Sequence, residues 1–278
     1  MSNLNNILKD NNFAIKKHFG QNFLTDTNLL KAIVADAGIT SDDEVLEIGP
    51  GAGALTYELA KVAKKVVCYE IDKELSPILD EHLKDFSNVE IIFKDILKEA
   101  DIEIAKHFAS SFKVVANLPY YITTPIIFKF LEGDFNLKSL TIMVQKEVAE
   151  RLVAKESTKD YGTITVSANI KADTKITRIV GRQMFNPAPN VDSAIINLTI
   201  NAKKFEVKNQ KVLSNLIVAA FAMRRKTLFN NLRADFNLSG ELIKKIMQDC
   251  KLDENIRGEA LTLSQFVTLA NELTKYLN

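Results

Sequence analysis

Cysteine is scarce in this 278-residue chain: Cys68 and Cys250 stand far apart, in unlike contexts. Two such thiols exclude a disulfide scaffold and any zinc cluster built on cysteine, and they fit a reducing, cytoplasmic compartment. The three histidines, His18, His82 and His107, have no ligand spacing, so no metal site is expected and all three read as surface or packing residues. No run of about 18 apolar residues occurs, which leaves out a transmembrane helix and, with it, a membrane partner. Residues 1–10 are polar and hold no apolar core of the kind a secretory signal needs. Internal repeats and low-complexity tracts are absent. So is any excess of charge: 36 Lys+Arg face 35 Asp+Glu, a formal net charge of +1. On its face that balance gives no reason to expect nucleic acid.

What is present describes an ordinary globular protein. The 46% hydrophobic and 26% charged fractions supply enough apolar surface to offset chain entropy. The length fits about two domains of roughly 150 residues each. From residue 40 to about 200, short β-branched runs alternate with helical stretches. Strands are predicted over 44–48, 65–69, 89–93, 113–117 and 140–144, then over 175–180 and 194–200. Helices are predicted over 28–37, over 54–64 with Leu55, Leu59 and Val62 on one face, over 73–84 and over 124–131. A further helix carries Val148, Leu152 and Val153, and 161–170 reads equally as strand or helix. The alternation implies an α/β fold with a parallel sheet covered on both faces. After residue 200 the periodicity is helical only, over 212–222, 239–250 and 264–276. We therefore expect one domain over 1–200, with an N-terminal arm, and a small all-helical domain over 201–278.

The first strand runs into Gly49-Pro50-Gly51-Ala52-Gly53, which opens a helix. Glycines there let the backbone approach a ligand, and a helix N-terminus offers free N–H groups. The spacing is G-x-G-x-G rather than the dinucleotide G-x-G-x-x-G, and no Lys-Ser/Thr follows as in a loop for nucleoside triphosphates. Glu70 ends the second strand and Asp95 follows the third. In an open parallel sheet, ligands sit beyond the carboxyl ends of the strands. An acid at the first place suits the hydroxyls of a ribose, and one at the second suits an adenine amino group. The order fits an adenosine-bearing cofactor and leaves NAD and S-adenosylmethionine open.

At the end of the fourth strand stand Asn117-Leu118-Pro119-Tyr120-Tyr121. An exocyclic amine on a base is a poor nucleophile because its lone pair is delocalised into the ring. A side-chain amide oxygen (Asn117) and a backbone carbonyl (Leu118) can accept its two hydrogens and favour a pyramidal nitrogen. Pro119 stiffens the turn, and Tyr120 can stack on a base that has left its helix. Phe185, in the stiff segment Phe185-Asn186-Pro187-Ala188-Pro189, is a candidate for the other face of that base.

Taken together these residues resemble the ribosomal RNA adenine dimethyltransferase family, and within it the small-subunit branch. The segments are Phe19-Gly20-Gln21-Asn22-Phe23-Leu24, the glycine loop with its Glu47, Glu70, Asp95, Asn117 to Ile122, Val191-Asp192-Ser193-Ala194, and Phe221 to Leu228. The resemblance implies a Rossmann-like methyltransferase sheet, mostly parallel with its last strand antiparallel, and a helical C-terminal domain that binds RNA. It implies S-adenosylmethionine contacts at Asn22, Leu24, Gly49, Gly51, Glu70, Asp95 and Asn117. It also implies dimethylation of two adjacent adenines in the 3′-terminal hairpin loop of 16S rRNA, within a pre-30S subunit. Asn190 stands where the family commonly has a lysine before Val-Asp-Ser. An Erm-type enzyme acting on 23S rRNA is the enzymatic alternative, and an assembly factor whose binding outweighs catalysis is the other. Arg224-Arg225-Lys226 is the phosphate-binding candidate of the helical domain. No apolar helix stripe demands a dimer, so a monomer is expected.

The near-neutral total averages two unlike parts. Residues 201–278 hold 13 Lys+Arg against 8 Asp+Glu, and residues 1–200 hold 23 against 27. The positive field that would steer RNA is concentrated in the helical part.

Overall fold

The computed structural model describes residues 23–24, 26–201 and 203–277. Its strands are β1 (Phe23–Leu24), β2 (Glu44–Ile48), β3 (Lys65–Glu70), β4 (Val89–Phe93), β5 (Phe112–Asn117), β6 (Leu137–Gln145), β7 (Ala172–Val180), β8 (Phe185–Asn186) and β9 (Ser193–Ile200). Seven of them form one sheet in the order β4-β3-β2-β5-β6-β9-β7. β2 pairs parallel with both β3 and β5, β3 with β4, and β5 with β6, while β9 runs antiparallel to β6. The expected architecture, a mostly parallel sheet with a late antiparallel strand, is the one found. β2 is buried at every position and β3 at all but its first, as strands covered on both faces must be. β1 and β8 make a separate antiparallel pair, Phe23 opposite Asn186 and Leu24 opposite Phe185.

The helices of this part are α1 (Thr27–Asp36), α2 (Ala54–Ala60), α3 (Ser76–His82), α4 (Asp101–Ala105) and α5 (Tyr120–Glu132). Asp26 caps α1 by accepting from the Leu29 N–H at 3.0 Å. α2 is shorter than the predicted helix. It ends at Ala60, and Val62, expected on the buried face, lies in a turn and is 39% exposed. α5 starts earlier than predicted, directly after Pro119, so Tyr120 and Tyr121 form its first turn. Pro125 sits inside α5 and cannot donate to the carbonyl four residues back, that of Tyr121. Cys68 is core, as expected, and His82 stacks on Tyr57.

The chain divides by its contacts into two compact units. The first runs to Ala149 and resumes at Lys175–Ile200; the second takes Glu150–Thr174 and everything from Asn201. This corrects the expected single division after residue 200. The ambiguous stretch is helix α7 (Thr163–Lys171), which follows α6 (Lys146–Leu152). Its β-branched residues pull toward strand, and packing decides otherwise. Tyr161, Val166 and Ile170 are buried in one cluster with Leu213, Leu216 and Phe266. The Tyr161 hydroxyl donates to the Leu261 carbonyl at 2.8 Å, and the Arg224 guanidinium donates to the Tyr161 carbonyl at 3.0 Å. The inserted segment carries four residues of each charge sign, so the helical unit keeps its basic excess.

The second unit contains α8 (Gln210–Ala222), α9 (Leu228–Asp235), α10 (Gly240–Asp249) and α11 (Leu263–Leu273). α9 was not anticipated; Thr227 caps it by accepting from the Asn230 N–H. Gly258 lies against α8 so closely that a Cβ there would collide with the Ala220 carbonyl oxygen. Gly258→Ala is therefore expected to destabilise the helical unit by about 1–3 kcal/mol, because backbone must move to admit the methyl. Thermal unfolding of the variant against the parent checks this.

Three buried acids lie in the sheet: Glu44 and Glu47 of β2, and Glu70 of β3. Glu47 of β2 is 1% exposed, and the Cys68 thiol donates to its Oε2 at 3.6 Å. Burial, aided by the negative Glu70, pushes its carboxyl up to about 7. The native state then binds a proton that the unfolded chain releases at ordinary carboxylate pH. The stability from this proton is complete below about pH 4.5 and is lost as pH rises through about 7. Glu47→Gln should abolish this component. Its stability relative to the parent is expected to rise by roughly 3 kcal/mol between pH 4.5 and pH 8, read from denaturant midpoints.

Candidate active site

β2 has β3 on one side and β5 on the other, so the strand order reverses there. Parallel pairing brings the carboxyl ends of β2, β3, β4 and β5 to one edge of the sheet. A cavity of about 340 Å³ opens at that edge, within the size range of small-molecule sites. Gly49 and Gly51 after β2, Glu70 at the end of β3, Asp95 after β4, and Asn117 to Tyr120 after β5 all line it. So do Leu24 and Phe185, brought together by the β1–β8 pair. Every cavity residue expected from sequence is thus gathered at one place, except Asn22, which lies outside the described residues. Arg224, Arg225 and Lys226 belong to the helical unit.

The glycine loop works differently from the simple expectation of free N–H groups. Gly49, Gly51 and Gly53 adopt φ of 69°, 58° and 82°, a left-handed path that favours glycine. Their N–H groups are used within the protein: Gly49 donates to the Tyr69 carbonyl at 2.9 Å, Gly51 to Glu70 Oε2 at 3.1 Å, and Gly53 to the Pro50 carbonyl at 2.9 Å. The loop's contribution is close approach. A Cβ on Gly49 would meet nothing within 4 Å, so the glycine leaves space on the cavity side of the turn.

Glu70 is the hub of this edge. Its Oε1 accepts from the Ile71 and Asp72 N–H groups at 2.8 and 2.9 Å, in addition to the Gly51 bond at Oε2. Burial raises its pKa, and the three backbone bonds pull the other way. A carboxylate has about four lone-pair positions. Three are occupied, so taking two neighbouring hydroxyls requires release of one backbone bond. Asp95 is less committed: its Oδ1 accepts from the Leu97 N–H at 3.1 Å, and Lys98 lies 3.5 Å from its Oδ2.

Asn117 is the last residue of β5, half-buried, and its side-chain amide has no hydrogen-bond partner among the described residues. Leu118 is buried, and Tyr120 is half-buried, with its hydroxyl 2.7 Å from Ser193 Oγ. Phe185 is 6% exposed, so it presents one limited face to the cavity. Sequence reasoning missed the apolar walls Ile71, Ile96 and Leu97. Their signal was position: each follows an acid by one or two residues. It also gave Tyr121 no role, although Tyr121 lines the cavity while 66% exposed. In the helical unit, Arg224, Arg225 and Lys226 are all exposed, and Arg224 is also engaged with the Tyr161 carbonyl and lies 3.5 Å from Glu259.

Residues 12–275 match the family model described as ribosomal RNA adenine dimethylase. A ribosomal RNA small subunit methyltransferase A of Clostridioides difficile is 43% identical over 268 residues, 95% of this chain and 93% of that protein. The protein of that name from Bacillus mycoides is 46% identical over 277 residues, covering 96% and 94%. Among solved structures, a dimethyladenosine transferase from Plasmodium falciparum superposes with a TM-score of 0.80 at 28% identity, covering 91% of this chain and 98% of the other. The 23S rRNA methyltransferase ErmE gives 0.69 at 27% identity, covering 91% and 100%. A sheet switch point lined by a glycine loop, two acids and an Asn-Leu-Pro-Tyr turn, matched over nearly the whole chain, places this protein in the ribosomal RNA adenine dimethylase family, whose methyl donor is S-adenosylmethionine.

Proposed function

We propose that this protein dimethylates the exocyclic amines of two adjacent adenines in the 3′-terminal hairpin loop of 16S rRNA, acting as a single chain on a pre-30S subunit. The observation that carries the reading is the Asn117 amide, which has no hydrogen-bond partner among the described residues and is set in the same cavity as the glycine loop, Glu70 and Asp95. Support for the small-subunit target comes from relatives at 43% and 46% identity that bear a small-subunit name. A 23S target is the second reading, favoured by the likeness to ErmE at 27% identity.

The residues fit the methyl donor. The left-handed turn at Gly49 leaves open space where a side chain would stand, Glu70 faces the cavity for ribose hydroxyls, and Asp95 for the adenine amine. Leu24, Gly51 and Asn117 line the same cavity, and Asn22 lies outside the described residues. S-adenosylmethionine, when bound, supplies an electrophilic methyl group. Asn117 and the Leu118 carbonyl accept the two hydrogens of the target amine and turn its lone pair away from the ring. Tyr120 and Phe185 hold the base between aromatic faces. The methylated nitrogen is cationic and releases its proton afterwards, so a strong base is unnecessary. Arg225 and Lys226, with Arg224 beside them, meet RNA phosphates.

Asn117→Ala is expected to abolish transfer while leaving the melting temperature within a few degrees of the parent. Mass spectrometry of rRNA nucleosides from cells carrying parent, variant or no gene checks this. Loss of dimethyladenine from the small-subunit 3′ region is the expected result, and loss from the large subunit would move the reading to 23S. Glu70→Ala should weaken S-adenosylmethionine binding by about tenfold or more, the effect of losing a charge-assisted acceptor. Unchanged affinity by calorimetry would remove Glu70 from the cofactor site.

A further inference from the structure

Ser193 lies in the Val-Asp-Ser-Ala segment, to which the cavity chemistry assigns no task. It is the first residue of β9, opposite Gln145 at the end of β6, and is 0% exposed. A buried hydroxyl requires a hydrogen-bond partner. Here the partner is the Tyr120 hydroxyl at 2.7 Å. Ser193 does not line the cavity, whereas Tyr120 does. The contact thus ties the outer end of a cavity-facing ring to the sheet behind it. Tyr120 is the first residue of α5, and its backbone is fixed by Pro119 on one side and the helix on the other. Two side-chain torsions remain free to swing the ring. A hydrogen bond at the para position restrains the first torsion, which sets where the ring points, because the hydroxyl is the atom farthest from that hinge.

The anchor is itself held. The Asp192 carbonyl accepts from the Lys146 N–H at 3.0 Å, where β6 passes into α6. The Asp192 carboxylate accepts from the Arg182 N–H at 3.1 Å, at the start of the turn that leads to Phe185. The segment around Ser193 is therefore bonded both to the end of β6 and to the turn that precedes Phe185.

We infer that Ser193 is a positioning residue for methyl transfer, whose hydroxyl holds the Tyr120 ring at the place where it stacks on the target base. This rests on the proposed stacking role of Tyr120. The test uses the full-length protein with a small-subunit rRNA substrate and four variants: Ser193→Ala, Tyr120→Phe, the two combined, and Tyr120→Ala. Ser193→Ala and Tyr120→Phe each lower kcat/KM for RNA by about three- to tenfold, the equivalent of one net hydrogen bond. The combined variant is no worse than either single one, since both remove the same bond. S-adenosylmethionine affinity by calorimetry stays within about twofold of the parent, a result that general damage to the sheet would not give. Ser193→Thr, which keeps the hydroxyl, recovers part of the loss.

Multiplicative losses in the combined variant, or parental kcat/KM in Ser193→Ala, would overturn the inference. Should Ser193→Ala fail to fold, as judged by its thermal transition, Tyr120→Phe decides alone, and parental kcat/KM there overturns it. Failure of the underlying reading looks different: Tyr120→Ala would then retain parental kcat/KM. A Tyr120→Ala enzyme that is inactive, beside fully active Ser193→Ala and Tyr120→Phe, would leave the stacking role standing and remove only the lock.

Discussion

The parallel pairing of β2 with strands on both of its sides is the constraint on which the rest of this protein depends. Parallel strands end together, so every loop leaving a carboxyl end opens on the same edge. The reversal of strand order at β2 keeps the connections on either side of it from closing that edge. Residues as far apart in the chain as Gly49 and Tyr120 become neighbours for this reason alone. Burial of β2 and β3 on both faces makes the arrangement rigid, because no strand can slip without exposing apolar side chains.

Electrostatics refine that frame. Glu70 gathers three backbone N–H groups from two loops and so fixes the glycine turn to the end of β3. The same carboxylate that faces the cavity is thus part of the edge's construction. The Glu47 carboxyl beneath it is pushed up by burial, and a proton there spares the sheet a second buried negative charge near Glu70. The basic excess lies elsewhere, in the helical unit, where Arg225 and Lys226 stand exposed and Arg224 is partly spent on the Tyr161 carbonyl and Glu259. The cavity and the basic excess lie in different parts of the chain, which is why the total charge is uninformative.

Much of the site was legible before any coordinates. Glycines at a strand-to-helix turn, acids at two strand ends and an amide at a third are local features, and each depends on only a few consecutive residues. Ser193 and the cavity walls were not legible in this way. A serine at a strand start has no meaning until the strand is paired, and Ile71 or Ile96 reads as core until the loop holding it is seen to face a cavity. The fold followed the same rule. The type of the long periodic stretches is legible although their ends shift, as at Ala60 and Tyr120, whereas 161–170 is ambiguous, because β-branched residues favour a strand and only the helical cluster around Leu216 and Phe266 makes a helix of them.

The residues alone determined the class of fold, the alternation of strand and helix, and the identity of most of the groups that line the cavity. These rest on periodicity and on backbone preferences that act within a few positions. Tertiary structure decided which distant segments share a cavity, that residues 150–174 join the helical unit, and that Tyr120 is tied to Ser193. Those outcomes depend on contacts between residues far apart in sequence, and such contacts exist only once the sheet order is set.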